Sequence, residues 1–287
     1  MQRFTFLVFI MVLAGCGSTP YRDDYTKHVN LVKNQFNEPS SLTFTFDGGD
    51  SVDLRGHYDG DDEVGQTAIL YQGGAGLVGL IAQIGLHASL VDSTRDDKLA
   101  VAQQEANAQI QTLIDQVQRL SLPLLLDDMG EKLVTRDTVN TQTLRLRPIF
   151  FSKPDMSQLM LKLVAWIPHP KGGKNTSLYQ NMIEVHGGKF AAVTALDDNT
   201  KQGDVLAQSL AVMLKKALQI ALNDVTGVYQ KSNGAQASFF IEQNNKTRVI
   251  RGSVVEENCD YQVVQDLHSW FIAIPVEQKE SLVACNI

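Results

Sequence analysis

The sequence predicts an α+β fold, an antiparallel sheet packed with amphipathic helices and followed by a small all-β module. Three observations predict it. Apolar runs separated by short polar or Pro/Gly turns favour an antiparallel meander. Two long stretches carry their apolar residues at helical spacing instead of in alternation. Beyond Lys231-Ser232-Asn233-Gly234 only short strand-like runs follow. With 44 % hydrophobic and 20 % charged residues the chain has ordinary globular composition and enough apolar side chains for a sizeable core.

The elements follow in order. The polar stretch 17–40 reads as a tether leading into a short helix over 25–36, stopped by Pro39. Leu42, Phe44 and Phe46 alternate with polar residues, Asp47-Gly48-Gly49-Asp50 supplies turn chemistry, and Val52 and Leu54 resume the alternation, which predicts a β-hairpin. Residues 64–91 hold no Asp, Glu, Lys or Arg and are interrupted by glycines. They read as a buried helix in which Ala75, Gly79, Ala82 and Gly85 admit a neighbouring backbone, with membrane contact as the alternative.

A helix over 96–119 follows from Leu99, Ala102, Ala106, Ile110, Leu113 and Val117, and a short one over 122–133 around Pro123. Strands are expected over 141–151, 158–167 and 177–186. A second amphipathic helix over 203–225 carries Leu206, Leu210, Met213, Leu214, Ala217, Ile220 and Ala221, with Lys215 and Lys216 turned outward. Five short strands are expected next, over 237–242, 246–257, 261–266, 270–274 and 281–285, the second bent at Gly252. That set resembles a small SH3-like barrel, whose closure would remove exposed edges.

Leu13-Ala14-Gly15-Cys16 closes a short apolar run, 4–13, behind Arg3. A run this short with a basic start reads as a secretory signal instead of a permanent span. The four residues resemble the lipobox of bacterial lipoproteins, a resemblance that covers the signal alone. It implies that 1–15 is a signal peptide, that Cys16 receives diacylglycerol and acyl chains such as palmitate, and that Cys16 becomes the first residue. Gly17 stands where members retained in the inner membrane carry Asp, so the resemblance implies the outer membrane, on its periplasmic face. An ordinary cleaved signal with an accidental cysteine is the alternative. The expected organisation is then a signal, 1–15; a lipidated tether and short helix, 16–40; an α+β periplasmic domain, 41–231; and a C-terminal β-module, 235–287.

With Cys16 taken up by lipid, two of the three cysteines remain, Cys259 and Cys285, in an oxidising compartment. An even remainder reads as one disulfide, with two buried free thiols as the alternative. The net charge of −7 argues against nucleic acid and anionic lipid surfaces. The expected partners are the membrane, through the lipid, and an envelope protein.

The chemical inventory is thin. Gly74-x-Gly76-x-x-Gly79 imitates a dinucleotide-binding turn with Asp92 as the ribose partner, but the space to Asp92 is too short for a crossover helix and a second strand. His57, Asp59, Asp61, Asp62 and Glu63 make an oxygen-rich stretch that fits no EF-hand spacing and reads as a solvated loop. Gly172-Gly173-Lys174 is followed by Asn175 where a P-loop needs Ser or Thr. His28, His87, His169, His186 and His268 are scattered singly, and no nucleophile elbow or zinc motif occurs. Trp166 and Trp270 read as core residues. No catalytic residue, cofactor or metal site is predicted. The sequence therefore points to a non-catalytic binding or assembly module of the envelope, with an envelope hydrolase or a carrier of an apolar ligand as the alternatives.

Overall fold

The computed structural model describes residues 42–58, 92–134, 140, 142–168, 177–189, 199–229, 234–243 and 246–276. The lipobox, the tether, the glycine-rich stretch, Asp59 to Glu63 and Cys285 lie outside them. The fold is α+β. Its strands are β1 (Thr43–Phe46), β2 (Leu54–Gly56), β3 (Thr143–Ser152), β4 (Gln158–Pro168), β5 (Ser177–Lys189), β6 (Gln236–Gln243), β7 (Lys246–Glu257), β8 (Tyr261–Asp266) and β9 (Phe271–Pro275). They form one open sheet in the order β1-β3-β4-β5-β9-β8-β7-β6, with β2 also on β3.

The meander is as expected: β3, β4 and β5 pair antiparallel in sequence order. β4 is apolar almost throughout because both of its faces are covered. Leu159, Leu161, Leu163, Ala165 and Ile167 belong to the main core, whereas Val164 and Trp166 form a second cluster with Met182 and Trp270. The long helix α4 (Asn199–Val225) lies across β4 and β5 and buries Leu206, Leu210, Met213, Leu214, Ala217, Ile220 and Ala221 in the main core. Lys216, expected to face outward, instead reaches Glu256 of β7, with Nζ 2.6 Å from Oε1.

The hairpin expected around Asp47 to Asp50 does not form. β1 and β2 both run parallel to β3 and pair with separate parts of it, 143–146 and 150–152. The physical reason lies in β3. Asp47 N–H still donates to Leu146 O, and Phe150 N–H donates to Asp53 O, but between them stands Pro148, which has no N–H to continue the ladder. The chain therefore leaves the sheet through Gly48 (φ +106°) and Gly49 (φ +112°) and rejoins it in the same direction.

The expected helix over 96–119 is two helices, α1 (Asp92–Gln109) and α2 (Gln111–Val117), broken at Ile110, whose φ and ψ are −116° and 22°. The break turns Ile110, Leu113 and Val117 into the main core. α3 (Leu122–Leu125) and a 3-10 turn (Asp127–Lys132) follow, in place of a single short helix.

The outer edge of β2 is sealed by side chains. Gly56 N–H donates to Asn107 Oδ1 at 2.8 Å, and Gln103 Nε2 donates to Gly56 O at 2.9 Å. α1 comes so close that a Cβ on Gly56 would lie 2.1 Å from Ala106 O.

The sheet is mixed, not antiparallel throughout, because β9 pairs parallel with β5, as β1 and β2 do with β3. The four described C-terminal strands accordingly extend the main sheet as an open run, and among them no SH3-like closure is present. Their hydrogen bonds cross the boundary expected between 41–231 and 235–287. Phe271, Ile272 and Ala273 are fully buried, which suits a strand with neighbours on both edges. The expected fifth strand, 281–285, lies outside the described residues.

Candidate functional site

The sheet face turned away from α4 carries an unusual set of charges. In β4 and β5 the register places Lys162 opposite Glu184 and Met160 opposite His186. Lys162 and Glu184 are 0 % exposed and His186 is 3 % exposed. Charges this deep occur only when other groups compensate them. Arg248 Nη1 donates to both oxygens of Glu184, at 2.7 and 3.0 Å, and His186 Nε2 lies 2.5 Å from Oε1. Lys162 Nζ sits 5.2 Å from the centre of the Phe151 ring.

Burial alone opposes ionisation of Glu184. The Arg248 guanidinium, the hydrogen bond and charge of His186 and the Lys162 ammonium outweigh it and hold the carboxyl well below its ordinary value. Asp266, at the end of β8, also faces Arg248; burial raises its carboxyl above the ordinary value against the Trp270 and His268 N–H groups.

Arg248 arrives from the far end of the β6–β7 hairpin, which bends over this face. Ile241 and Ile250 on its inner side pack with Val264 and Ile272. Its outer side presents the cross-strand partners Phe240 and Val249, 69 % and 58 % exposed. Among the described residues β6 pairs only with β7, and its other edge has no strand partner among them. It carries neither Pro nor Lys and no register slip, the devices that commonly blunt such an edge.

Beside His186 a cleft of about 20 Å³ is lined by His57, Phe151, Ser152, Lys153, Gln158, Met160 and Glu242. That volume has room for about one water. Glu184 and His186 have the geometry of an acid–base pair, and with the hairpin in this position the cleft beside them is small. Among the described residues no group of three or more His, Cys, Asp or Glu is arranged to hold a metal.

A second buried network ties α4 to the sheet on the opposite face. Tyr179 Oη and Asn181 Nδ2 donate to Asp224 Oδ2 at 3.0 and 2.8 Å. Tyr229 Oη donates to Glu256 Oε2 at 2.6 Å. Burial raises Asp224 to about 6, against the two donors, which lower it.

The residues singled out in the sequence scatter. Cys16 and Cys285 lie outside the described residues, as do the P-loop-like 172–175, the glycines of the dinucleotide-like turn, and His28, His87 and His169. Asp92 opens α1. His57 is buried against Phe151, 6.2 Å between ring centres. Cys259 occupies the bend before β8 and is not a free thiol. Trp166 and Trp270 pack in the core as expected, with His268 stacked 5.1 Å from Trp270.

Lys162, Glu184 and Arg248 were missed by sequence reasoning. The available signal was one lysine inside the apolar run of β4 and one glutamate two residues before His186 in β5. No family model matches the chain, and no curated protein or solved structure is similar to it.

Proposed function

We propose that this chain is a lipid-anchored protein of the outer membrane, facing the periplasm, that acts as a non-catalytic binding or assembly module for an envelope protein. Leu13-Ala14-Gly15-Cys16 supports the anchor. The binding reading is carried by one observation, the exposed Phe240 and Val249 side by side on a hairpin whose β6 edge is open among the described residues. An extended segment of a partner adds to such an edge through main-chain hydrogen bonds and uses the neighbouring apolar side chains for selectivity. In this reading the C-terminal segment from 235 onward supplies the recognition element as an open hairpin, in place of a barrel.

The hydrolase alternative rests on Glu184 and His186, both closed off from substrate. The carrier alternative has a groove of about 480 Å³ between α2 and α4, where Leu120 and Ala207 share the lining with Asp115, Arg119 and Asp204, charges that an apolar ligand would have to desolvate.

A photo-crosslinking residue at position 240, in cells, tests the binding reading. A discrete protein adduct is expected there and none from position 212, an exposed valine on α4. Equal adducts from the two positions, or none from 240, would overturn it.

A further inference from the structure

We infer that the outer half of the β6–β7 hairpin is a hinged arm that lifts from the sheet as a unit, with Gly252 as the hinge and the Arg248 to Glu184 ion pair as the latch. β7 pairs with β8 only from Gly252 to Glu257. From Lys246 to Arg251 its partner among the described strands is β6. Among the described residues main-chain bonds thus hold the arm together and none from Lys246 to Arg251 ties it to the body.

Side chains make that attachment: Ile241 and Ile250 against Val264 and Ile272, and Arg248 on Glu184. Gly252 stands where the body's ladder ends. A Cβ there would lie 2.3 Å from Gln265 O, so the chain crosses β8 closer than any side chain permits and bends at that point. A register slip between Val254 and Glu256 adds to the bend.

What the arm covers also works against its closed position. Closure desolvates Glu184, and its attraction to Arg248 offsets that cost only while the pair is intact. Lifting the arm exposes Ile241, Ile250, Val264 and Ile272 but returns the Glu184 carboxylate and the Arg248 guanidinium to water. The arm bears Phe240 and Val249, so the inference goes beyond the binding reading by making the recognition element movable; its test involves no partner and stands or falls separately.

The test uses the full chain in detergent and follows modification of His186 by diethyl pyrocarbonate, by mass spectrometry. In the wild type the rate should be nearly flat at low urea, as for a local opening that exposes little surface. Arg248→Met should raise it about tenfold or more, with Arg248→Lys between the two. Arg251→Met, on the exposed outer side of the same strand, should leave it unchanged, and His268 should react equally in all four proteins.

An unchanged His186 rate in Arg248→Met would overturn the latch. If that variant does not fold, the wild-type urea dependence decides. A slope equal to that of global unfolding, followed by tryptophan fluorescence, would overturn the arm.

Discussion

Asp224, in the last turn of α4, accepts a 3.0 Å hydrogen bond from the hydroxyl of Tyr179, fully buried in β5, and so fixes the end of the helix to the sheet. The same carboxylate takes a second bond from Asn181, whose amide also donates to Ser269 O in the turn between β8 and β9. Three parts of the fold therefore meet at one acid, which burial raises to about 6 despite the two donors.

That rise has a definite sign in stability. Between about pH 4 and pH 6 the folded protein holds the Asp224 proton while the unfolded chain has released it, so raising the pH favours unfolding. Asp224→Asn removes this dependence and leaves an amide oxygen to accept from Tyr179. Relative to the variant, the wild type should lose on the order of 3 kcal/mol across that window, from the rise of 3.8 to about 6. Glu184 works in the opposite direction, since its lowered carboxyl gives stability that is lost as pH falls, but it is common to both proteins. Urea unfolding at a series of pH values measures the difference, and parallel curves would refute the assignment.

Gly56→Ala should destabilise by about 1–3 kcal/mol through overpacking, because the new methyl meets the backbone of Ala106 and not a movable side-chain end. Pushing α1 away also breaks the bonds from Gln103 and Asn107 to the Gly56 main chain. Asn107→Leu should cost less and leave the packing of α1 in place, about 1–2 kcal/mol, chiefly for the Gly56 N–H left unsatisfied, since Gln103 Nε2, which also donates to Asn107 Oδ1, keeps its bond to Gly56 O. Chemical denaturation of the two variants beside the wild type tests the order. Equal losses would mean that the clip, not the close approach, dominates.

Local patterns made the meander, α4 and the four described C-terminal strands readable, to within a few residues, because alternation and helical periodicity report which face of an element is buried. They do not report which strand pairs with which. Asp47 to Asp50 carried every local mark of a hairpin, and the deciding residue was Pro148, almost a hundred positions later. The parallel pair of β5 and β9 is likewise set by covering both sides of Phe271 to Ala273, which their own run of residues does not specify. The candidate site was hidden for the same reason: Lys162, Glu184 and Arg248 come from three strands and meet only after the sheet has formed and the hairpin has bent.

Cys16→Ala should abolish palmitate incorporation and leave an unprocessed or soluble precursor, because the thioether to diacylglycerol has no other attachment point on the chain. Metabolic labelling with fractionation of the envelope reads both effects. Label retained in the variant would remove the anchor from the proposed function while leaving the β6 edge untouched.

Cys259 and Cys285 should be joined in protein taken from the periplasm. Cys259 is not a free thiol, and in the proposed lipoprotein, where lipid would occupy Cys16, Cys285 would be its remaining counterpart. Its place at the bend also suits a tie to the end of the chain: Val276 N–H donates to Asp260 O at 3.0 Å, so the last described residue of the β9 segment already lies beside the bend that holds Cys259. From there nine residues lead to Cys285, far more than the span requires. The bridge would close a loop of about 25 residues and contribute about 3 kcal/mol by restricting the unfolded chain. Reduction, or Cys285→Ser, should therefore lower the melting temperature and act on the segment that carries β8 and β9. A non-reduced digest analysed by mass spectrometry checks the pairing directly, and recovery of Cys285 as an unmodified thiol would defeat it.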